Sequence, residues 1–295
     1  MSADLKSVKC RFESDWGQHK TGDRTVNDER PANYTHGHHE SALSGHQRRT
    51  AEDSAAYLLP YLKPGSTVLD IGCGPGTITA DFAERVAPGS VLAVDLFDGV
   101  LNMARAEVQQ RNLSNVSFAT ADVHKLEFPD DAFDVVHAHQ VLQHVADPVQ
   151  ALREMKRVCR PGGIVAARDA DYAGFVWFPR LPALDLWLDL YEKAARANRG
   201  EPDAGRRLLS WALEAGFDDI TPTGSLWCYA TVATREWWGG MWADRILHSG
   251  VARELLALGL ATTAQLEEIS AAWQAWAAAP DGWLSIPHGE ILCQA

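Results

Sequence analysis

Cysteine is scarce in this chain, and positive charge is outnumbered by negative. The five cysteines among 295 residues, Cys10, Cys73, Cys159, Cys228 and Cys293, are odd in number and widely scattered. No CxxC or other metal-like spacing links them, so neither a disulfide framework nor a metal site is indicated. Lys and Arg number 27 against 39 Asp and Glu, a net charge of −12. Phosphate binding needs a basic surface, so nucleic acid is excluded as a partner. There is no polybasic run to hold an anionic membrane surface. No stretch approaches the roughly 20 apolar residues of a spanning helix, and the N-terminus lacks the apolar core of a signal peptide. The expectation is a cytoplasmic protein with free thiols and no membrane or nucleic-acid partner, either a monomer or a homodimer.

What is present is a large apolar fraction, 46%, in a chain long for one open α/β sheet. A typical domain size leaves roughly 100 residues for additions. Val68 to Ile71 reads as a short buried strand, with a helical pattern resuming after Gly76. The glycine-rich turn between them lets a ligand approach the backbone closely. Asp70, two positions before the first glycine, narrows the ligand. A carboxylate there repels the pyrophosphate of a nicotinamide dinucleotide. It suits a ligand carrying an ammonium and a sulfonium, the two cationic groups of S-adenosylmethionine. The GxGxG spacing of Gly72, Gly74 and Gly76 likewise disfavours an NAD-dependent oxidoreductase.

Further carboxylates recur at strand ends. Val91 to Leu96 reads as a second buried strand carrying Asp95, about 20 residues past the last glycine, where an acidic side chain accepts hydrogen bonds from both ribose hydroxyls. Phe118 to Asp122 is a third strand-like run, with Asp122 placed toward an adenine amino group. A fourth, Phe133 to Ala138, follows the turn signal Pro129-Asp130-Asp131. A fifth, Ile164 to Ala167, follows Arg160-Pro161-Gly162-Gly163.

Through the fragments DIGCGPG, VDL, ADVHKLEFPDDAFDVVHAHQVLQHV and RVCRPGG, residues 34 to 169 resemble class I S-adenosylmethionine-dependent methyltransferases of the ubiquinone/menaquinone-biosynthesis type. Tyr34 to Glu40, His139 to His144, and Asp281-Gly282-Trp283 with His288-Gly289-Glu290 further resemble fungal gliotoxin-type thiomethyltransferases and bacterial dithiolopyrrolone S-methyltransferases. The resemblance implies a Rossmann-like α/β fold. Its sheet is seven-stranded and mostly parallel with an antiparallel last strand, helices lie on both faces, and helical insertions form a cap. It implies transfer of a methyl group from S-adenosylmethionine, leaving S-adenosylhomocysteine, to a small-molecule acceptor. A thiol or dithiol of secondary metabolism comes first. O- or C-methylation of a quinone precursor or aromatic metabolite is the close alternative, and a non-catalytic cofactor-binding module is the rival from another class.

Residues 1–30 read as a polar extension and 31–60 as a helical segment over the site, with a helix around Arg48 to Tyr61. The cofactor-binding core spans 61–172 and 204–232 and closes with a final strand at 281–295. Cap insertions occupy 173–203 and 233–280. Ten of the eleven tryptophans follow Asp171. Leu184, Trp187, Leu188 and Tyr191 show i, i+3, i+4, i+7 spacing, so an amphipathic helix is expected over Pro182 to Ala197. Two or three helices are expected between Arg235 and Ala279.

The expected cofactor contacts are Asp70, Gly72, Cys73, Gly74, Pro75, Gly76, Thr77, Asp95, Leu96, Asp122 and Val123, joined by His139, Gln140 and His144 beyond the fourth strand. For His137 and His144 a structural role is the simpler reading. The resemblance brings the segment before the core to the active site. There His38 and His139 are the candidate bases, His39 is a cofactor contact, and Tyr34 can lie against the sulfonium. His36, Asp171, Tyr172, Trp177, Trp242 and Arg245 are the substrate candidates, with Asp169 bordering them; capping and turn formation are equally open for the two aspartates. Most of the tryptophans are expected to fill the core of the cap.

Overall fold

The computed structural model describes residues 48–295. The calls on Tyr34, His36, His38 and His39, and on the 1–30 extension, lie outside the described residues. The first described element is helix α1, Ala51–Ser54, started by a reciprocal cap between Thr50 and Asp53. The longer helix expected here is broken. A separate 3-10 turn covers Leu59–Tyr61, and the tighter winding buries the consecutive Leu58 and Leu59 together.

Strand and helix then alternate: β1 Thr67–Ile71, α2 Thr77–Val86, β2 Ser90–Asp95, α3 Asp98–Gln110, β3 Val116–Thr120, β4 Phe133–His139, α4 Pro148–Val158 and β5 Cys159–Ala170. These five strands pair in parallel in the order β3-β2-β1-β4-β5. The apolar runs of β1 and β4 are buried because helices cover both faces. On one face Val68, Val135 and Ala166 pack with Phe82 and Val86 of α2 and with Leu58. On the other, Leu69, Val136 and Val165 pack with Leu152 and Met155 of α4.

Beyond β5 the chain adds β6 Val176–Phe178, α5 Pro182–Ala197, a 3-10 turn Ala204–Arg207, α6 Leu208–Glu214 and β7 Ile220–Tyr229. It ends with α7 Val232–His248, α8 Gly250–Ala257, α9 Thr263–Ala278 and β8 Trp283–Gln294. The last strand is antiparallel to β5 and inserts between β5 and β7. The sheet has eight strands rather than the expected seven. β5 ends at Ala170 opposite His288, and the chain turns back to lay Val176–Phe178 against the remaining half of β8, Trp283–Ser285. This adds a short strand where β8 would otherwise show an open edge.

The helix expected over Pro182–Ala197 has those bounds, and three helices lie between β7 and β8. Proline stands at the start of α5, where its missing N–H costs nothing. Side-chain caps start α7 and α9. Together these helices enclose an aromatic core. Trp187 meets Trp242 edge-on at 4.6 Å and Trp273 at 4.9 Å. Ala170, Tyr172, Leu284 and Ile286 carry that core onto the sheet. Trp187 is fully buried at its centre. Trp187→Ala is expected to lower the unfolding free energy by about 3–5 kcal/mol, measured by urea denaturation followed by circular dichroism.

Candidate functional site

The carboxyl ends of β1, β2 and β4 meet around the glycine turn, the edge at which open α/β sheets take their ligands. Gly72 and Gly76 both have positive φ, and neither has room for a side chain. A Cβ on Gly72 would lie 2.5 Å from Val141, and one on Gly76 would lie 2.8 Å from the Ala104 backbone. Gly74, with φ +55°, faces open space. The loop is thus packed at both ends and open at its middle. Desolvation, with Asp70 and Asp95 nearby, pushes the Cys73 thiol pKa up, away from the thiolate. Pro75 and Thr77 are buried at the entry to α2.

Asp70 does not stand open to a ligand as the sequence suggested. Its Oδ1 is 2.8 Å from Nδ1 of His137, and its Oδ2 accepts from the Thr79 hydroxyl. The carboxylate is buried beneath the loop, tying β1 to the first turn of α2 and to β4. Asp95 is better placed. Its Oδ2 accepts the Gly74 N–H at 3.2 Å and its Oδ1 accepts the Phe97 N–H at 3.2 Å. Leu96 beside it is 51% exposed, whereas Val123 belongs to the core under β4. One oxygen of Asp122 accepts the backbone N–H of His124 at 2.9 Å and lies 2.7 Å from its Nδ1, on an exposed turn.

Gln140 follows β4 in the left-handed region, φ +53°. That geometry sends its side chain to Arg49, which donates to Oε1 at 2.7 Å, and to His288, 3.0 Å from Nε2. His139 is buried, and neither ring nitrogen has a hydrogen-bond partner. Loss of water first, then the positive charges of Arg49 and Arg168, hold its pKa well below the usual histidine range. His288 is depressed likewise by burial and by Arg168. Burial and Arg49 push His144 down to about 3, and its ring lies 3.0 Å from the Gln143 amide. All three imidazoles are neutral near pH 7.

A cavity of about 400 Å³ opens beside Gln140, between the sheet and α7. Of the substrate candidates, Tyr172, Trp242 and Arg245 line it. Two other substrate candidates do not. Asp171 is held in a two-pronged ion pair with Arg206 at 2.6 Å, and Trp177 is buried in the cap core. The sequence reading missed Arg49, Trp227, Tyr229 and Trp238, which complete the wall. It also missed Arg168, buried on β5 with Glu290 of β8 at 3.2 Å and lying over Trp227 at 4.8 Å. An arginine within the apolar run Ile164 to Ala170 was the available signal.

A family model described as a methyltransferase domain matches residues 62–201. The chain is 37% identical over 258 residues to an uncharacterized methyltransferase of Schizosaccharomyces pombe, covering 84% of this chain and 91% of that one. It is 32% identical over 192 residues to the ubiquinone/menaquinone biosynthesis C-methyltransferase of Shewanella frigidimarina, covering 60% of this chain and 74% of that one. Among solved structures, phosphoethanolamine N-methyltransferase 2 of Haemonchus contortus shares the fold, with a TM-score of 0.52 and 21% identity over 81% of this chain and 52% of that one. The chain therefore belongs to the class I S-adenosylmethionine-dependent methyltransferases. The residues fit that cofactor, because the space at Gly74 and the oxygens of Asp95 lie together at the loop.

Asp169, beside Arg168, uses one oxygen to accept the Gln143 N–H at 3.0 Å, bracing the turn after Gln140. Desolvation pushes it up to about 7. An unfolded aspartate loses its proton near ~3.9, so over about pH 4–7 the folded chain holds the extra proton and stability falls as pH rises. The full loss is about 4 kcal/mol. Asp169→Asn keeps the accepting oxygen and is expected to flatten this decline, read by urea denaturation at several pH values.

Proposed function

We propose that the protein methylates a small organic acceptor on sulfur, a thiol or dithiol that enters the aromatic cavity beside Gln140. S-adenosylmethionine, when bound, supplies an electrophilic methyl carbon on a sulfonium. In this reading the backbone of Gly72 to Thr77 receives its amino-acid portion and the field of buried Asp70 favours its positive charge. Asp95 takes the ribose hydroxyls, and Asp122 the adenine amino group, with Leu96 against the base. His139, Gln140 and His144 border the methyl group.

The observation that carries the thiol is the electrostatics of the cavity. Among the described residues lining it there is no histidine, and its one carboxylate, Asp53, accepts hydrogen bonds from Thr50 and Ser54 within α1. Of the two sequence candidates for a base, His38 lies outside the described residues, and His139 has its pKa depressed and is a poor proton acceptor. A thiol with pKa ~8.5 is already a few per cent thiolate near neutrality. Arg49 at the wall favours that anion further. A carbon acid would need a base that the described residues of this wall do not offer. The aromatic walls support a second reading, O-methylation of a phenol, and the Shewanella relative is named for C-methylation.

Incubation with S-adenosylmethionine and matched thiols, phenols and quinols, read by mass spectrometry, tests the proposal. Methyl gain on the thiols is expected; gain on the phenols or quinols alone would overturn it. Asp95→Ala is expected to weaken S-adenosylhomocysteine binding roughly 10- to 100-fold in calorimetry, the loss of hydrogen bonds to a charged acceptor. Unchanged affinity would mean the ribose lies elsewhere.

A further inference from the structure

Gln140 is held by its backbone and by both ends of its carboxamide. The chain leaves β4 here with φ +53°, a conformation few residues other than glycine adopt, and the Gln140 N–H donates to the Arg168 carbonyl at 2.7 Å. Nη2 of Arg49 lies 2.7 Å from Oε1. A guanidinium only donates, so the atom it meets must be the carboxamide oxygen. The nitrogen therefore faces Nε2 of His288 at 3.0 Å, and that ring atom must accept. The His288 proton then sits on Nδ1, which donates to the Ile286 carbonyl at 3.1 Å. One chain of hydrogen bonds thus sets both the amide orientation and the histidine tautomer.

A carboxamide nitrogen carries two N–H groups, and His288 takes one. The second has no partner among the described residues, and Gln140 lines the cavity. We propose that this N–H donates to the reacting sulfur of the acceptor, making Gln140 the residue that holds the nucleophile in line. A thiolate attracts the positive end of an N–H dipole and a sulfonium repels it, so the donor suits the acceptor's sulfur rather than the cofactor's. The hydrogen bond favours the ionised thiol. The thiol proton passes to water, and the sulfur's electron pair forms the new bond to the methyl carbon. The pair of the breaking sulfonium–carbon bond stays with the departing thioether. A nucleophile held at a fixed carboxamide has the orientation this displacement requires. The inference rests on the reading of the cavity as the acceptor site and adds the group that engages the nucleophile there.

The test is calorimetric titration of the protein, loaded with S-adenosylhomocysteine, with thiophenol at pH values below and above the pKa of the free thiol. Binding is expected to tighten roughly 10-fold across that range, the gain of a hydrogen bond to a charged acceptor. Thioanisole, whose sulfur carries no proton, is titrated alongside. Its own change reads any effect of the groups that titrate around the turn or in the wall, Asp169, His139, His288, Asp53, Tyr229 and Cys228. Gln140→Met keeps the side-chain length without the N–H and should cut the thiolate preference to less than about threefold. The charges of Arg48, Arg49 and Arg245 remain in that variant, and release of Arg49 from Oε1 would act in the opposite direction. No tightening in the unaltered protein, no binding of thiophenol, or a tightening that survives Gln140→Met would overturn the inference. Should Gln140→Met not fold, NMR spectra of the side-chain amides in the unaltered protein decide. One Gln140 amide proton should move downfield with the thiolate and not with thioanisole; no movement would overturn the inference. The thiol reading fails separately. If only phenols are methylated, para-nitrophenol and para-nitroanisole put the same question to Gln140.

Discussion

The site hangs on one buried carboxylate. Asp70, next to last in β1, accepts from Thr79 in the first turn of α2 and pairs with His137 on β4. Those contacts fix the two ends of the glycine turn relative to each other and to the neighbouring strand. Gly72 and Gly76 then have no slack, since each lies where a Cβ would strike Val141 or Ala104. The open stretch at Gly74 and the adjoining Asp95 are held in place as a consequence. The negative charge that the sequence suggested would touch a cationic ligand instead organises the loop that surrounds it.

A second buried polar row lies on the same face of the sheet. His139, Arg168 and Glu290 are register neighbours across β4, β5 and β8, with Thr223 of β7 donating to Glu290 at 2.9 Å. Arg168 and Glu290 are both buried, so their desolvation offsets much of their attraction. What the row supplies is a buried Arg168–Glu290 ion pair beside His139. Burial first, and Arg168 after it, keep His139 and His288 neutral. The chemistry then depends on placing acceptor and donor in line and excluding water, as methyl transfer from a sulfonium requires.

Much of the fold was legible because its signals are local. The glycine turn, the apolar strands and the spacing of Leu184, Trp187 and Tyr191 each report on their own segment. The eighth strand was not legible: Val176–Phe178 is a strand only because β8 runs past the end of β5. The broken first helix has a similar origin in the tertiary burial of Leu58 and Leu59. In the site, Asp95, Gln140, Trp242 and Arg245 lie where the sequence placed them, at the strand ends and on the cap. Asp70 and Asp171 do not present their oxygens to a ligand, because their partners Thr79, His137 and Arg206 come from other elements. A carboxylate's position along the chain does not reveal which donors the fold will bring to it.

The central claim is that cofactor and acceptor meet at Gln140, between the glycine turn and the aromatic cavity. A crystal structure with S-adenosylhomocysteine and a thiol acceptor tests it most directly. The account predicts the nucleoside at Asp95, the homocysteine sulfur opening toward Gln140, and the acceptor sulfur facing it from the cavity walled by Tyr172 and Trp242. A homocysteine sulfur turned away from Gln140, or an acceptor bound outside that cavity, would contradict it.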